Sequence, residues 1–349
     1  MIRIITCVLL LTIPRLSVAS ECFDNNVGTK VFYANGMFNV SSDIYASIAE
    51  LNRQLGYRGY KFEIDASYNQ SEVWYQQLVE VFAHKNIDNW SFFWQYLNGI
   101  IEAPDWFQEA IQDISANSHG VINDSDLAAY VGMYRKAIDE CYRVLIVAHS
   151  QGNFYGNHAW SAIYSGLTKN ELPQTKFKSL GLLSVASPAS YVGSYLQQPN
   201  DHKSITDYVT LTNDRIMVFV RLFFPSTLLG NITNSHDDPD FWHHNFIDSY
   251  LRGNHSGPRM TSAITEIIDE LEPILLGRRE VESSSLKSAG YSNSTEILDV
   301  EFVSDGSVYR YYQVPESEYR GLIEAESHGR YFYFNIRSKY SYRKLIEGV

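Results

Sequence analysis

The sequence predicts an α/β fold: a mostly parallel sheet flanked by helices, followed by a small α+β C-terminal domain. Two observations carry this. Short apolar runs, many of them β-branched, alternate with stretches of helical spacing between residues 30 and 275. That alternation builds βαβ units with right-handed crossovers. A polar stretch from Glu280 to Ser285 then reads as a linker to a tail with strand and helix patterns of its own.

Taken in order, Lys30 to Ala34 is a short apolar strand that breaks into Asn35-Gly36-Met37. Ser41 or Ser42 caps a helix with Ile44, Ile48, Leu51 and Leu55 at helical spacing. Tyr60 to Ile64 reads as a second strand, and Ser71 to His84 as a second amphipathic helix. Residues 86–120 are rich in Trp and Phe and suit helical pieces that wall or cap a pocket. Asp126 to Glu140 is a helix leading into Val144-Leu145-Ile146-Val147. This unbroken apolar run is a strand buried on both faces. Phe154 to Ser165 is helix-compatible, and Ser179 to Ala186 and Asp207 to Thr212 are further strands. In the tail, strands are expected within Leu286 to Glu301, at Val308 to Pro315 and at Gly329 to Ile336, with a helix over Ser317 to Ser327.

Ligands of such sheets bind beyond the carboxyl ends of the strands, so those ends are the places to inspect. The buried strand runs into Ala148-His149-Ser150-Gln151-Gly152. Strand, sharp turn, helix with a serine at the apex is the geometry of a nucleophile elbow. The strained turn needs small residues two before and two after the serine, here Ala148 and Gly152. The Gln151 N–H, at the helix start, would face a developing oxyanion. Met37, after Asn35-Gly36, would supply a second N–H donor. The plainer reading makes Ser150 an ordinary helix cap.

Asp214 sits at the tip of the strand 207–212, where a carboxylate orients a catalytic imidazole. Asp207 is the reserve acid, at the wrong end of that strand. His244, just before a helix containing Ile247, Tyr250 and Leu251, is the expected general base, with His243 as the alternative. Serine, aspartate and histidine then follow one another along the chain. His236, Asp237, Asp238, Asp240, His243 and His244 form a ligand-capable cluster, but the spacing matches no standard zinc or EF-hand pattern, so no metal is expected. The apolar connection Ile216 to Gly230 reads equally as a lid or acyl-chain wall and as a last strand plus core helix.

These residues carry a resemblance. Tyr33-Ala34-Asn35-Gly36-Met37, Ala148-His149-Ser150-Gln151-Gly152, Asn213-Asp214 and His244-Asn245-Phe246 resemble the α/β-hydrolase superfamily, lipase and esterase types. The likeness is to minimal members that start at the oxyanion strand. Alanine replaces the usual first elbow glycine, and Asn-Gly stands where His-Gly is commoner. The tail resembles the KTSC domain, also found at the C-terminus of some lysyl-tRNA synthetases. Leu298-Asp299-Val300-Glu301-Phe302, Gly306, Tyr309-Arg310-Tyr311, Val314-Pro315 and Ser327-His328-Gly329-Arg330-Tyr331-Phe332 carry that likeness. The expected organisation is a signal peptide over 1–19, an α/β-hydrolase domain over 23–278 and a KTSC-like domain over 285–349.

Composition bounds the function. Across 349 residues, 19% are charged and 45% hydrophobic, a globular balance. A net charge of −12 argues against a nucleic-acid binder. RNA binding has been suggested for KTSC domains, and Arg330, Arg337, Lys339, Arg343 and Lys344 lie beside aromatics able to stack on bases. In an acidic chain a docking or substrate-positioning tail, its ligand unknown, is favoured. Met1-Ile2-Arg3, an apolar stretch from Ile4 to Ile13 and Ser17-Val18-Ala19 match a cleaved signal peptide, with no membrane span after cleavage. A secreted or periplasmic location follows. Cys22 and Cys141 would remain, as a disulfide between neighbouring strand starts or as two buried thiols.

The resulting expectation is an exported serine hydrolase that cleaves carboxylic esters, of a lipid or other acyl substrate, through an acyl-enzyme. No cofactor is needed. The alternatives are a non-catalytic binding protein on the same scaffold, or a thioesterase or amidase using the same three residues.

Overall fold

The computed structural model describes residue 22 and residues 27–34, 41–67, 104–106, 124–164, 177–193, 200–223, 225–235 and 238–346. The expected signal peptide, Asn35-Gly36-Met37, the helix from Ser71 to His84, nearly all of 86–120, His236 and Asp237 lie outside the described residues.

The first unit runs β1 (Gly28–Ala34), α1 (Ser41–Gly56), β2 (Glu63–Ser67), α2 (Asp124–Asp139), β3 (Tyr142–His149), α3 (Gly152–Tyr164), β4 (Leu180–Val185), β5 (Thr206–Val209), α4 (Arg215–Phe223), a π-helical turn (Phe246–Leu251) and α5 (Ser256–Glu270). The five strands pair in parallel in the order β2-β1-β3-β4-β5. The chain leaves β1 toward β2, then returns to β3 on the other side and continues outward. The strand order therefore reverses between β1 and β3, and ligands bind at the carboxyl ends beside such a reversal. Ser150 follows directly on the end of β3. Val144 to Ala148 are wholly buried, as a central strand covered on both faces requires.

Two helices set the strand ends. On α1, Ile44, Leu51 and Leu55 are buried at the predicted helical spacing. On α3, Gly156 allows close approach to the sheet: a Cβ there would lie 3.1 Å from Leu182 Cδ1 and 3.3 Å from Ala148 Cβ. β2 begins three residues later than expected. Tyr60 belongs to the exit of α1, its N–H donating to the Leu55 carbonyl at 3.2 Å after Gly59 turns the chain at φ 83°. Tyr60 and Phe62, at the expected start of the strand, stack on each other. The connection after Asp214 begins as the helix α4, with Met217 and Phe219 buried and Val218 and Leu222 exposed.

α1 also reaches the loop that follows the π-helical turn. Glu50 accepts hydrogen bonds from Arg53, from Gln54 at 3.0 Å and from Arg252 at 3.4 Å. The Arg53 guanidinium outweighs burial and, with Gln54 and Arg252, lowers the Glu50 carboxyl to about 2. Because its folded value lies below its unfolded one, this group's contribution to stability is full above about pH 4.5 and is lost as pH falls toward 2. In urea titrations from pH 6 to pH 2, wild-type protein is expected to lose stability more steeply than Glu50→Gln; identical slopes would refute the contribution.

Cys22 and Cys141 are joined in a disulfide across 119 sequence positions, with Cα atoms 5.4 Å apart. Cys22 also forms an isolated parallel bridge with Leu276, its N–H donating to the Leu275 carbonyl at 3.0 Å. The bond thus ties the segment before β1 both to the start of β3 and to the chain leaving the first unit. A cross-link spanning so long a loop restricts the unfolded chain strongly, and Cys22→Ser is expected to cost about 2–5 kcal/mol. Comparing urea midpoints of oxidised wild type and variant checks this; coincident midpoints would contradict it.

The second unit is an antiparallel sheet in the order β10-β9-β8-β7-β6, with β6 (Arg279–Glu280), β7 (Leu286–Ser292), β8 (Ile297–Phe302), β9 (Val308–Tyr311) and β10 (Tyr342–Ile346). α6 (Glu316–Glu324) and α7 (His328–Asn335) complete it. The segment expected as a strand over Gly329 to Ile336 is instead largely α7. Phe332 and Ile336 are its buried positions, four apart, which is helical spacing; Tyr333 and Phe334 are exposed. The aromatic content suggests a strand, but burial follows the helical period.

The tail packs firmly on the first unit. Ile297, Val308 and Leu345 join the main core. Between the units lies Arg310, wholly buried. Its Nε and Nη2 donate to the Asp299 carboxylate at 2.8 and 2.7 Å, and Nη1 donates to Glu272 at 3.2 Å. Nη1 and Nη2 also donate to the carbonyls of Pro273 at 2.7 Å and Ile274 at 3.1 Å. These bonds match the five N–H donors of a guanidinium. Burial opposes its charge, but Asp299 and Glu272 outweigh burial and keep it protonated. Among the described residues, no helix is long and apolar enough to cross a membrane.

Candidate active site

The elbow is built by β3, α3 and β4. Ser150 adopts φ 54°, the left-handed region, which costs a non-glycine residue of order 1–3 kcal/mol and is held by its surroundings. The Ser150 N–H donates to the Val185 carbonyl at 3.0 Å, extending the β3–β4 ladder into the turn. Buried Asn153 clamps it from the next turn, its Nδ2 donating to the carbonyls of Ser150 at 2.8 Å and Val185 at 2.9 Å. Asn153 escaped the sequence reading; a polar residue at the start of a helix that packs on a sheet is its only sequence signal. Among the described residues, no acceptor meets the Gln151 N–H.

Three side chains far apart along the chain meet at this edge. His244 Nε2 is 2.9 Å from Ser150 Oγ, and His244 Nδ1 is 2.8 Å from Asp214 Oδ2. Asp214 is wholly buried. Its Oδ1 accepts from the Met217 N–H at 2.9 Å, at the start of α4, and its Oδ2 accepts from Tyr250 Oη at 2.7 Å. Burial, and then the adjacent Asp214 carboxylate, push the Tyr250 hydroxyl far above its usual range, so it remains a donor. An Nδ1–H of His244 donating to the Asp214 oxygen leaves Nε2 to present a lone pair to the serine hydroxyl.

The other candidates fall elsewhere. His243, at φ 54°, pairs with Asp238 at 3.1 Å rather than with Ser150. Asp207 forms an ion pair with Arg259 of α5 near the start of β5. Met37 lies outside the described residues; β1 ends at Ala34, paired with Ala148. Among the described residues, no group of three or more His, Cys, Asp or Glu side chains is placed to hold a metal ion.

The loop bearing His244 is organised by Asp240 and His149, neither assigned a role by the sequence. Asp240 Oδ2 accepts from the N–H groups of His244 at 2.7 Å and Asn245 at 2.8 Å, and Oδ1 accepts from the Trp242 N–H at 3.1 Å. Burial works against ionisation of Asp240, but these N–H groups prevail and lower its pKa. Asn245 caps the π-helical turn, accepting from the N–H groups of Ile247 and Asp248, both at 2.9 Å. His149, buried at the end of β3, lies 3.0 Å through Nε2 from the His244 carbonyl. Burial first, and then the His244 imidazole, hold its pKa well below the usual value.

For the tail, the KTSC family model matches residues 282–340. Residues 282–340 form a KTSC domain. Relatives share only part of the chain. An uncharacterised protein of Stutzerimonas stutzeri (strain A1501) is 49% identical over 55 residues, 16% of this chain and 76% of that protein. A lysine–tRNA ligase of Trichormus variabilis is 33% identical over 87 residues, a quarter (25%) of this chain and 15% of the ligase. The crystal structure of a KTSC domain protein from Yersinia pestis is 35% identical, covering 20% of this chain and 94% of that one, with a TM-score of 0.19. No hydrolase family matches the chain. The KTSC domain includes Asp299 and Arg310, so its buried arginine joins it to the unit bearing Ser150.

Proposed function

We propose that the N-terminal unit is a serine hydrolase of the α/β-hydrolase type that cleaves carboxylic esters, of a lipid or other acyl substrate, by way of an acyl-enzyme. The observation that supports this most is the hydrogen-bonded chain from Ser150 Oγ through His244 to Asp214. A serine hydroxyl becomes a useful nucleophile only beside an oriented base. Ser150 Oγ attacks the carbonyl carbon as His244 Nε2 takes its proton. Asp214 holds the imidazole and stabilises its charged form. The oxyanion is met by the Gln151 N–H and, in this reading, by that of Met37, each donor worth roughly 3 kcal/mol of barrier. His244 returns its proton to the leaving alkoxide, and a water activated the same way frees the acid. No cofactor enters this scheme. The protein is taken to work in an exported, oxidising setting, as the signal-like start and the disulfide suggest. The KTSC domain is assigned a positioning role rather than nucleic-acid binding.

The test is chemical. Purified protein should react covalently with a fluorophosphonate probe and hydrolyse nitrophenyl esters, with the chain-length profile defining the acyl site. Folded protein that does neither would refute the proposal.

A further inference from the structure

We propose that His149 is a positioning residue that locks the loop bearing His244 to the same strand end that presents Ser150. His149 is the last residue of β3 and immediately precedes Ser150. Its ring is buried under the π-helical turn, with its centroid 5.0 Å from that of His244, 5.2 Å from Phe246 and 6.0 Å from Tyr250. Its Nε2–H donates to the His244 carbonyl at 3.0 Å. On the far side of the same residue, Asp240 accepts from the His244 N–H. Both backbone polar groups of His244 are therefore held while its side chain bridges Ser150 and Asp214.

The chemistry explains why a histidine stands here. A carbonyl accepts, so the nitrogen facing it must carry the proton. The other nitrogen, Nδ1, is buried without a hydrogen-bond partner among the described residues, which suits the neutral Nε2–H form. An apolar side chain could fill the space but would withdraw the donor from the carbonyl. A cationic side chain would sit beside His244 just as that ring becomes an imidazolium. A neutral imidazole with one proton meets both demands. Naming His244 as the base it positions rests on the hydrolase reading.

The experiment uses the full chain. Wild type, His149→Leu and His149→Gln are compared for fluorophosphonate inactivation, separating kinact from KI. Nitrogen-15 NMR of the histidine rings gives the tautomer of His149 in wild type, assigned through the Gln variant. His149→Leu is expected to lower kinact about 10- to 100-fold, the scale of an ångström's misplacement, with KI nearly unchanged. Glutamine, whose amide also donates, should restore kinact to within several-fold. The wild-type ring should carry its single proton on Nε2 at neutral pH. Folded His149→Leu reacting at the wild-type rate, or a wild-type ring protonated on Nδ1, would overturn the proposal. If wild type does not react at all, the hydrolase reading falls, while the tautomer still decides whether His149 holds the His244 carbonyl.

Discussion

Replacing Ser150 by alanine is expected to abolish fluorophosphonate labelling and to lower ester turnover on the order of 10^6-fold, while leaving the fold intact. Residues of a triad act as a unit, so His244→Ala should cost about as much as Ser150→Ala, and the double variant little more. Asp214→Asn should cost on the order of 10^4-fold, because an amide at that place favours the wrong imidazole tautomer. Removing the serine hydroxyl also relieves nothing in the backbone: the left-handed turn at φ 54° is kept by the Val185 and Asn153 hydrogen bonds, which alanine retains. Steady-state kinetics on the best nitrophenyl ester, with circular dichroism of each variant, decide the matter. Turnover by Ser150→Ala near the wild-type rate would remove Ser150 from the chemistry.

The second large effect concerns the join between the units. Arg310→Ala should destabilise the protein by roughly 3–5 kcal/mol, since it leaves Asp299 and Glu272 buried without their cation. The carbonyls of Pro273 and Ile274 lose their donors as well. Glu272 keeps Arg343, at 2.8 Å, so the heavier loss falls on Asp299, which is wholly buried. Arg310→Lys should rescue little, because an ammonium cannot reproduce the two-pronged bond to Asp299. Urea denaturation followed by tryptophan fluorescence measures the change. A loss below about 1 kcal/mol would mean that the charges rearrange or that water replaces the guanidinium.

How much of this was legible beforehand differs from element to element. β3 is plain in the sequence because a strand buried on both faces leaves no polar position in its run. α1 is plain because its apolar residues recur at helical spacing. The tail helix α7 is not, because Tyr and Phe favour strands locally while packing against β8 and β9 decides the outcome; Phe332 meets Phe302 and Tyr311 in the second core. β2 was misjudged by a few residues for a similar reason: Tyr60 looks like strand but is spent on the turn that ends α1. Ser150, Asp214 and His244 are legible because each stands next to a strand end or helix start, where side chains face a common crevice. Between His243 and His244, the place directly before the helix start favours His244, and that ring is the one that meets Ser150.

Taken alone, the sequence determined the alternation of strands and helices, the elbow with its small neighbours, and the acidic residue and histidines to be tested against it. Those properties are local: they depend on periodicity, turn chemistry and the backbone demands of a few consecutive residues. Only the tertiary structure decided that Tyr250 bonds to Asp214, that Asp240 and His149 bond to the backbone of His244, that Cys22 reaches Cys141, and that Arg310 joins the two units. Each of these depends on atoms brought together from distant parts of the chain, and a partner chosen by folding leaves no mark on the residues beside it in sequence.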